Sequence, residues 1–446
     1  MLFVLGDYLI IGRRASDIAA SIETGVGSGA LAPGTLLPPL RELATELGVN
    51  PNTVAAAYRT LRERGVIVTD GRRGSRVLPR PATVPRDQMR MTVPAGVRDL
   101  TQGNPDVRLL PSLDGPLASA ARRHAQTPTL YGQAPVAPDL ARLARAGFDA
   151  DGVAPGPVAV TSGALDGIER LLTAHLRPGD AVAVEDPGWG GTLDLVPALG
   201  LRVIPVAVDD EGPLSGSVER ALEEGARALI VTARAQNPTG AAVGAARARD
   251  LRALLAARPE VFVIDDDHGH GIVDLPLHSL GGVTRHWALV RSTAKAYGPD
   301  LRLAVLTGDP VTMDRLRGRQ RLGPGWVSRL LQHAVVELWS SGAVDPVAVA
   351  RSYGARRDGL IGELARRGVR AHGRSGMNVW VPVADETVVV TRLLSAGWGV
   401  SAGARFRVVS GPGVRLTVSG LGLDEVPALA EAVAAGVRQV GGGRFD

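Results

Sequence analysis

The chain of 446 residues contains no cysteine. That excludes disulfides, thiolate nucleophiles and Cys-ligated zinc, and it suits a reducing compartment. Long apolar runs are missing as well: none approaches the roughly 20 residues a membrane-spanning helix needs. The opening "MLFVLGDYLIIGRR" lacks the basic start and small-residue cleavage site of a signal peptide. We therefore expect a soluble, cytoplasmic protein with no membrane partner. Lysine is almost absent. Of 50 Lys+Arg residues a single one is Lys, at position 295 in "RSTAKAYGPDLRLAV". Arg replaces Lys everywhere else, so this survivor points to chemistry that a guanidinium cannot perform. A guanidinium stays protonated up to a pH of roughly 12, whereas a buried amine can lose its proton and attack a carbonyl.

What is present is apolar enough (45%) to build a large core, and the length suits two or three domains. The formal charge of +5 is modest, so the placement of positive charge matters more than its sum. The segment "RVLPRPATVPRDQMRMTVPAG", residues 76–96, holds four prolines and no hydrophobic period, and reads as an extended linker. Upstream lie short helical patterns and a hairpin. Downstream, "VAVT", "AVAVED", "LRVIPVAV", "ALIVTA" and "VFVIDDD" alternate with helical stretches, as in a mostly parallel sheet wrapped by helices.

In "LPPLRELATELGVNPNTVAAAYRTLRERGVIVTDGRRGSRVL" the residues Leu40, Leu43, Ala44 and Leu47 keep helical spacing until Gly48. Asn50 as N-cap and Pro51 in the first turn start a second helix with Val54, Tyr58 and Leu61 along one stripe, and Gly65 ends it. Two β-prone runs then flank Asp70-Gly71, with Arg72 and Arg73 at the tip of the implied hairpin. Residues 1–80 carry ten Arg against seven Asp and Glu. Arg41, Asn52, Thr53, Arg72 and Arg73 are the candidate contacts to double-stranded DNA: Asn52 and Thr53 for base edges, the arginines for phosphates. Residues 15–78 resemble the winged helix-turn-helix of GntR-type regulators.

In the second region Ser162-Gly163-Ala164 open a helix after "VAVT", a turn able to hold a phosphate on its N–H groups. Trp189 follows a strand in "EDPGW", and Asn237 sits in the "QNPTG" turn. Period-two alternation in "VFVIDDDHGH" sets Ile264, Asp266 and His268 on one face, Asp265 and Asp267 on the other, and leaves a divalent metal site as the rival reading there. Ser292, Lys295 and Arg302 share one loop, an amine between a hydroxyl and a guanidinium.

Taken in order over residues 99–446, these motifs resemble fold-type I pyridoxal-phosphate proteins of the aminotransferase class I/II family. Joined to a GntR-type head, the whole resembles the MocR class of bacterial transcription regulators. The resemblance implies an α/β chain: a winged helix-turn-helix over 1–78, a linker over 79–98 and an aminotransferase-like effector domain over 99–446, its smaller α+β subdomain at about 340–446. It implies pyridoxal 5'-phosphate as cofactor and no metal. Lys295 would form the internal aldimine, Asp266 would pair with the pyridinium nitrogen, Asn237 would bond the ring oxygen and Trp189 would stack on the ring. Ser162, Gly163, Ala164, Ser292 and Arg302 would surround the phosphate, with Tyr131 reaching it from a partner subunit. Arg415 in "GPGVRLTV" matches the arginine that clamps a substrate carboxylate.

Two departures stand out. His268 occupies the position where the family usually has a tyrosine, and the stretch between Tyr131 and Ser162 differs from the usual pattern. Both weigh against efficient transamination more than against cofactor binding. The implied function is a homodimeric DNA-binding regulator that senses pyridoxal phosphate, an amine or an amino acid. The alternative is an active aminotransferase with an accessory DNA-binding domain.

Overall fold

The computed structural model describes residues 2–5, 8–27, 30–32, 34–63, 66–69, 74–77, 86 and 92–438. The chain divides into two compact units. The first takes Met1–Val84 with Arg177–Asp180 and Val196–Arg202; the second takes Pro85–Leu176, Ala181–Leu195 and Val203–Asp446.

The first unit begins with a hairpin of β1 (Leu2–Leu5) and β2 (Tyr8–Ile11), followed by α1 (Ala15–Gly27), α2 (Leu40–Leu47) and α3 (Pro51–Glu63). Helix α2 stops at Gly48, whose φ of 61° is the left-handed conformation glycine tolerates, and whose N–H closes on the carbonyl of Thr45. Helix α3 opens with Asn50 Oδ1 accepting from the Asn52 N–H (2.8 Å). Leu43, Leu47, Val54, Tyr58 and Leu61 form the core that the helical spacing predicts, whereas Leu40, in the first turn, stays exposed. The Tyr58 hydroxyl is buried and donates to the Pro38 carbonyl (2.8 Å). The wing is β3 (Ile67–Thr69) paired antiparallel with β4 (Ser75–Val77), in the register Ile67↔Val77 and Thr69↔Ser75. A tight Asp70-Gly71 turn would pair Thr69 with Arg72. The longer register puts both Ile67 and Val77 into the core, and burial of the apolar face sets strand register. Arg72 and Arg73 lie outside the described residues.

The second unit is built on an eight-stranded sheet. Its strands are β5 (Val158–Thr161), β6 (Ala181–Asp186), β7 (Arg202–Asp209), β8 (Gly212–Pro213), β9 (Ala226–Thr232), β10 (Phe262–Asp267), β11 (Trp287–Ser292) and β12 (Ala304–Gly308), in the order β5-β12-β11-β10-β9-β6-β7-β8. The strands β6, β9, β10 and β11 pair in parallel, and β12 runs antiparallel to both its neighbours. The expected parallel pairing holds through β6, β9, β10 and β11; β12 is reversed and the edge strand β8 pairs antiparallel with β7, so the sheet is mixed. Every residue of β6, β10, β11 and β12 is buried, the consequence of helices on both faces and the reason these strands read as continuous apolar runs.

A second core gathers Leu100, Leu360, Val379, Leu416 and Val433 around a three-stranded antiparallel sheet of β13 (Asn378–Pro382), β14 (Ser401–Ala402) and β15 (Gly413–Thr417). The helix Pro346–Arg366 serves both cores, giving Val349 and Tyr353 to the first and Leu360 and Leu364 to the second. Arg98–Asp99, where the linker was expected to end, pairs with Trp398–Gly399 of this smaller layer.

Candidate functional site

In parallel sheets the carboxyl ends of the strands form the crevice where ligands bind. Here β6 runs out towards Trp189, β9 towards Asn237, β10 into Asp266 and His268, and β11 into Ser292 and the short helix Ala294–Tyr297. These ends enclose a cavity of about 310 Å³ lined by Trp189, Asn237, Asp266, His268, Lys295 and Arg302. Gly163, Ala164 and Ser292 complete the predicted set in its wall.

Lys295 donates its Nζ to the carbonyl of Gly103. Asp266 turns one carboxylate oxygen, Oδ2, to His268 Nδ1 (3.3 Å); the other, Oδ1, is buried and has no hydrogen-bond partner among the described residues. His268 Nε2 lies 2.8 Å from the Ala235 carbonyl, which only accepts, so that nitrogen carries a proton. Burial alone would lower the imidazole pKa. The charge and hydrogen bond of Asp266 and the bond to Ala235 outweigh burial and an opposing charge on Lys295, so the pKa is raised above the ordinary histidine value. Behind Asp266, burial pushes Glu185 up to about 7 although Thr232 N–H (3.0 Å) donates to it.

One wall of the cavity is the start of α4 (Ala164–His175). Gly163 precedes this helix with φ 97°, and a Cβ built there would fall 2.9 Å from Arg302 Nη2. The positive φ is what requires glycine here; the atom a Cβ would crowd is the end of a flexible side chain, which can shift. Arg302 itself sits at φ 44° and donates to the Ser162 carbonyl (3.1 Å). Ser162 is the one predicted phosphate-turn residue outside the cavity wall; its N–H is taken by Asp166 (2.9 Å).

Arg415, on β15, donates to Asn237 Oδ1 (3.1 Å), to the Thr101 carbonyl (2.6 Å) and to Ser401 Oγ (3.3 Å), and its guanidinium lies 4.7 Å from the Phe406 ring centre. It adjoins the cavity through Asn237. Tyr131 is not brought there: it is 92% exposed and meets Trp326 edge-on at 5.6 Å. Thr101, Gly103, Ala235, Met377 and Asn378 complete the surroundings and carry no cue in the sequence, because they contribute backbone or arrive from distant segments.

The other carboxylates of "VFVIDDDHGH" turn away. Asp265 Oδ2 accepts from Ser279 Oγ (2.6 Å) and Leu280 N–H (2.8 Å), and burial pushes its pKa to about 6. Asp267 lies between Arg234 and Arg291, each 2.9 Å away. Among the described residues, Asp151, Asp267 and His270 come nearest to the rival metal reading, bringing one ligand atom each within 4.8 Å of the others. Two guanidiniums already supply the positive charge that a cation would, Arg291 bridging Asp267 and Asp151.

On the first unit, Arg41 and Asn52 are exposed and Thr53 is half-buried at the start of α3. Among the described residues no helix is long and apolar enough to cross a membrane.

An amine, an unpartnered buried carboxylate oxygen and a guanidinium above a glycine turn fit a group carrying an aldehyde, a basic ring nitrogen and a phosphate. Pyridoxal phosphate is such a group. Comparison with known proteins agrees. Residues 95–433 match the model for aminotransferase class I and II, and residues 14–77 that for bacterial regulatory proteins of the gntR family. The vitamin B6 salvage pathway transcriptional repressor PtsJ of Salmonella typhimurium is 41% identical over 433 residues, 95% of this chain and 98% of that protein. The probable rhizopine catabolism regulatory protein MocR of Rhizobium meliloti is 26% identical over 75% of this chain and 74% of that one. Aspartate aminotransferase from Thermus thermophilus, solved with maleate, matches at TM-score 0.66 and 26% identity over 79% of this chain and 93% of its own. The chain belongs to the aminotransferase class I and II family and, with its GntR-type head, to the MocR-type transcription regulators that use this fold with pyridoxal phosphate.

Proposed function

We propose that this chain is a cytoplasmic, homodimeric repressor whose hold on DNA is set by pyridoxal phosphate bound at Lys295. The observation carrying the reading is the unpartnered Asp266 Oδ1, buried in the same cavity as the lysine amine. A buried carboxylate oxygen without a partner is costly, and a protonated ring nitrogen would satisfy it. The cofactor would supply an aldehyde that captures primary amines and a ring that withdraws electrons. Lys295 would hold the aldehyde carbon, Arg302 and the start of α4 the phosphate, and Trp189 the ring face. Arg415 would hold a carboxylate if an amino acid enters. Tyr131, exposed in one chain, suits a contact made to the cavity of a second copy. The Salmonella relative is named for repression of vitamin B6 salvage, which supports the cofactor itself as the signal. Asn52 and Thr53 would read base edges while Arg41, Arg72 and Arg73 meet phosphates.

Borohydride reduction followed by peptide mass spectrometry tests this. The cofactor should be fixed on the peptide holding Lys295, and Lys295→Ala should abolish the label. A colourless wild-type protein after incubation with pyridoxal phosphate would end the reading. Rapid amino transfer without DNA retention would favour an enzyme instead.

A further inference from the structure

Arg86 lies nine residues beyond Val77, the end of wing strand β4, on the segment leading to the effector domain. Nothing in the sequence distinguishes it from its 48 fellow arginines. In the structure it has more polar contacts than any residue of a surface linker needs. Its N–H and Nε both donate to Asp194 (2.6 and 2.9 Å), and its Nη1 donates to the carbonyls of Arg407 (2.9 Å) and Ala404 (3.3 Å). Its own carbonyl accepts from Arg405 Nε (3.2 Å).

The two groups of partners belong to different layers. Asp194 is on α5 (Gly190–Ala198), the helix that starts directly after Trp189 in the cavity wall. Residues 404–407 precede β15 of the smaller sheet, and lead to Arg415 by a short route: Arg405 Nη1 bonds Ser401 Oγ (3.2 Å), which also accepts from Arg415, and the Phe406 ring lies under the Arg415 guanidinium. Arg415 in turn bonds Asn237 of the cavity wall. Gly190 allows this junction, because a Cβ there would fall 2.8 Å from the Arg405 carbonyl oxygen and 3.5 Å from Arg86 Cβ. Gly188 N–H donates to the Phe406 carbonyl (2.7 Å) beside it.

Five hydrogen bonds from one residue to two layers are satisfied together at only one spacing of those layers. The geometry points to Arg86 as the residue that transmits ligand occupancy to the DNA-binding head: a ligand that shifts Trp189 or Arg415 changes the spacing between α5 and residues 404–407, and Arg86 cannot keep both sets of partners. Arg86 then leaves one of its two sets of partners. This rests on the reading of the chain as a ligand-responsive regulator, and it requires the ligand to bind the two arrangements unequally. Arg86 touches neither cofactor nor DNA in this scheme; it is a positioning residue.

The test uses the full-length chain, a fluorescent duplex taken from immediately upstream of its own coding sequence, and pyridoxal phosphate. The quantity read is the ratio of duplex affinity with and without pyridoxal phosphate, alongside the cofactor's absorbance titration. Couplings of this kind are roughly 5- to 150-fold. Arg86→Ala and Asp194→Ala should each bring the ratio close to one with the absorbance titration unchanged, and the double variant should lose no more than either single one. Arg86→Lys keeps the charge but not the fork, and should fall between; it carries the test if the alanine variant does not fold. Variants that retain the wild-type ratio overturn the proposal and leave the regulator reading intact. Variants that lose cofactor binding along with the ratio overturn it too, since Arg86 would then be a brace of the cavity. A wild-type ratio of one overturns the regulator reading and this proposal together.

Discussion

At the scale of single residues, His268 faces two acceptors at once. Nδ1 faces the Asp266 carboxylate and Nε2 a backbone carbonyl, so the imidazolium satisfies both acceptors and the neutral ring only one. A tyrosine would have no second donor to place there. Because the folded-state pKa is raised, the stabilisation from this pair is complete below the unfolded value of about 6.5 and is lost as pH rises through the folded value above it. His268→Phe should therefore destabilise most in acid. We expect a loss of roughly 1–3 kcal/mol at pH 6, the range for leaving a buried polar group unpaired, and a smaller one at pH 9. Urea unfolding at the two pH values checks it; an equal loss at both would remove the imidazolium from the account. On the proposed reading the substitution also frees Asp266 from a neighbouring cation, and the pH dependence of the bound cofactor's absorbance should change with it.

At the scale of elements, the turn from β5 into α4 shows why a short motif can be demanding. Gly163 has a positive φ and lies under Arg302, so the helix start, the guanidinium and the strand end share one small volume. Gly163→Ala must adopt a left-handed backbone and push Arg302 aside, at a cost of roughly 1–3 kcal/mol for such strained conformations. If Arg302 holds the phosphate, pyridoxal phosphate should bind at least ~10-fold more weakly to this variant, a change of roughly 1.4 kcal/mol. Quenching of tryptophan emission on titration reads the affinity, and thermal unfolding reads the strain. Unchanged affinity with lowered stability would mean that Arg302 braces the turn without holding the ligand.

At the scale of the whole molecule, the proposed DNA contact is electrostatic in part and must respond to salt. Each phosphate contact contributes about −0.9 to the slope of log affinity against log salt for duplex DNA. Arg41, exposed on α2, is expected to meet a phosphate. Arg41→Ala should therefore flatten the slope by about 0.9 and weaken specific and unrelated duplexes alike. Asn52→Ala should leave the slope unchanged and narrow the difference between the two duplexes. Anisotropy titrations at several salt concentrations separate these outcomes; identical slopes for wild type and Arg41→Ala would exclude the contact.

Much of this was legible in the chain itself. Gly48, Asn50 and Pro51 mark helix ends through their own backbone chemistry, so the two helices of the head follow from local residues. Continuous apolar runs announce strands buried on both faces, and the lone lysine among arginines lines the cavity. Contacts between distant segments are not local and could not be read there. The partner of Lys295 is the carbonyl of Gly103, whose identity as a residue is irrelevant to the bond. Leu100 joins a core made by residues 360–434. The wing's register follows from which side chains the core must bury, although an Asp-Gly pair suggests a tighter turn. The sequence by itself determined the types of element and which candidate groups line the cavity wall, because backbone preference and side-chain chemistry travel with each residue. Only the tertiary structure decided that one Asp266 oxygen would go unpartnered and that Arg86 would join two layers, because such pairings depend on where remote strands and helices come to rest.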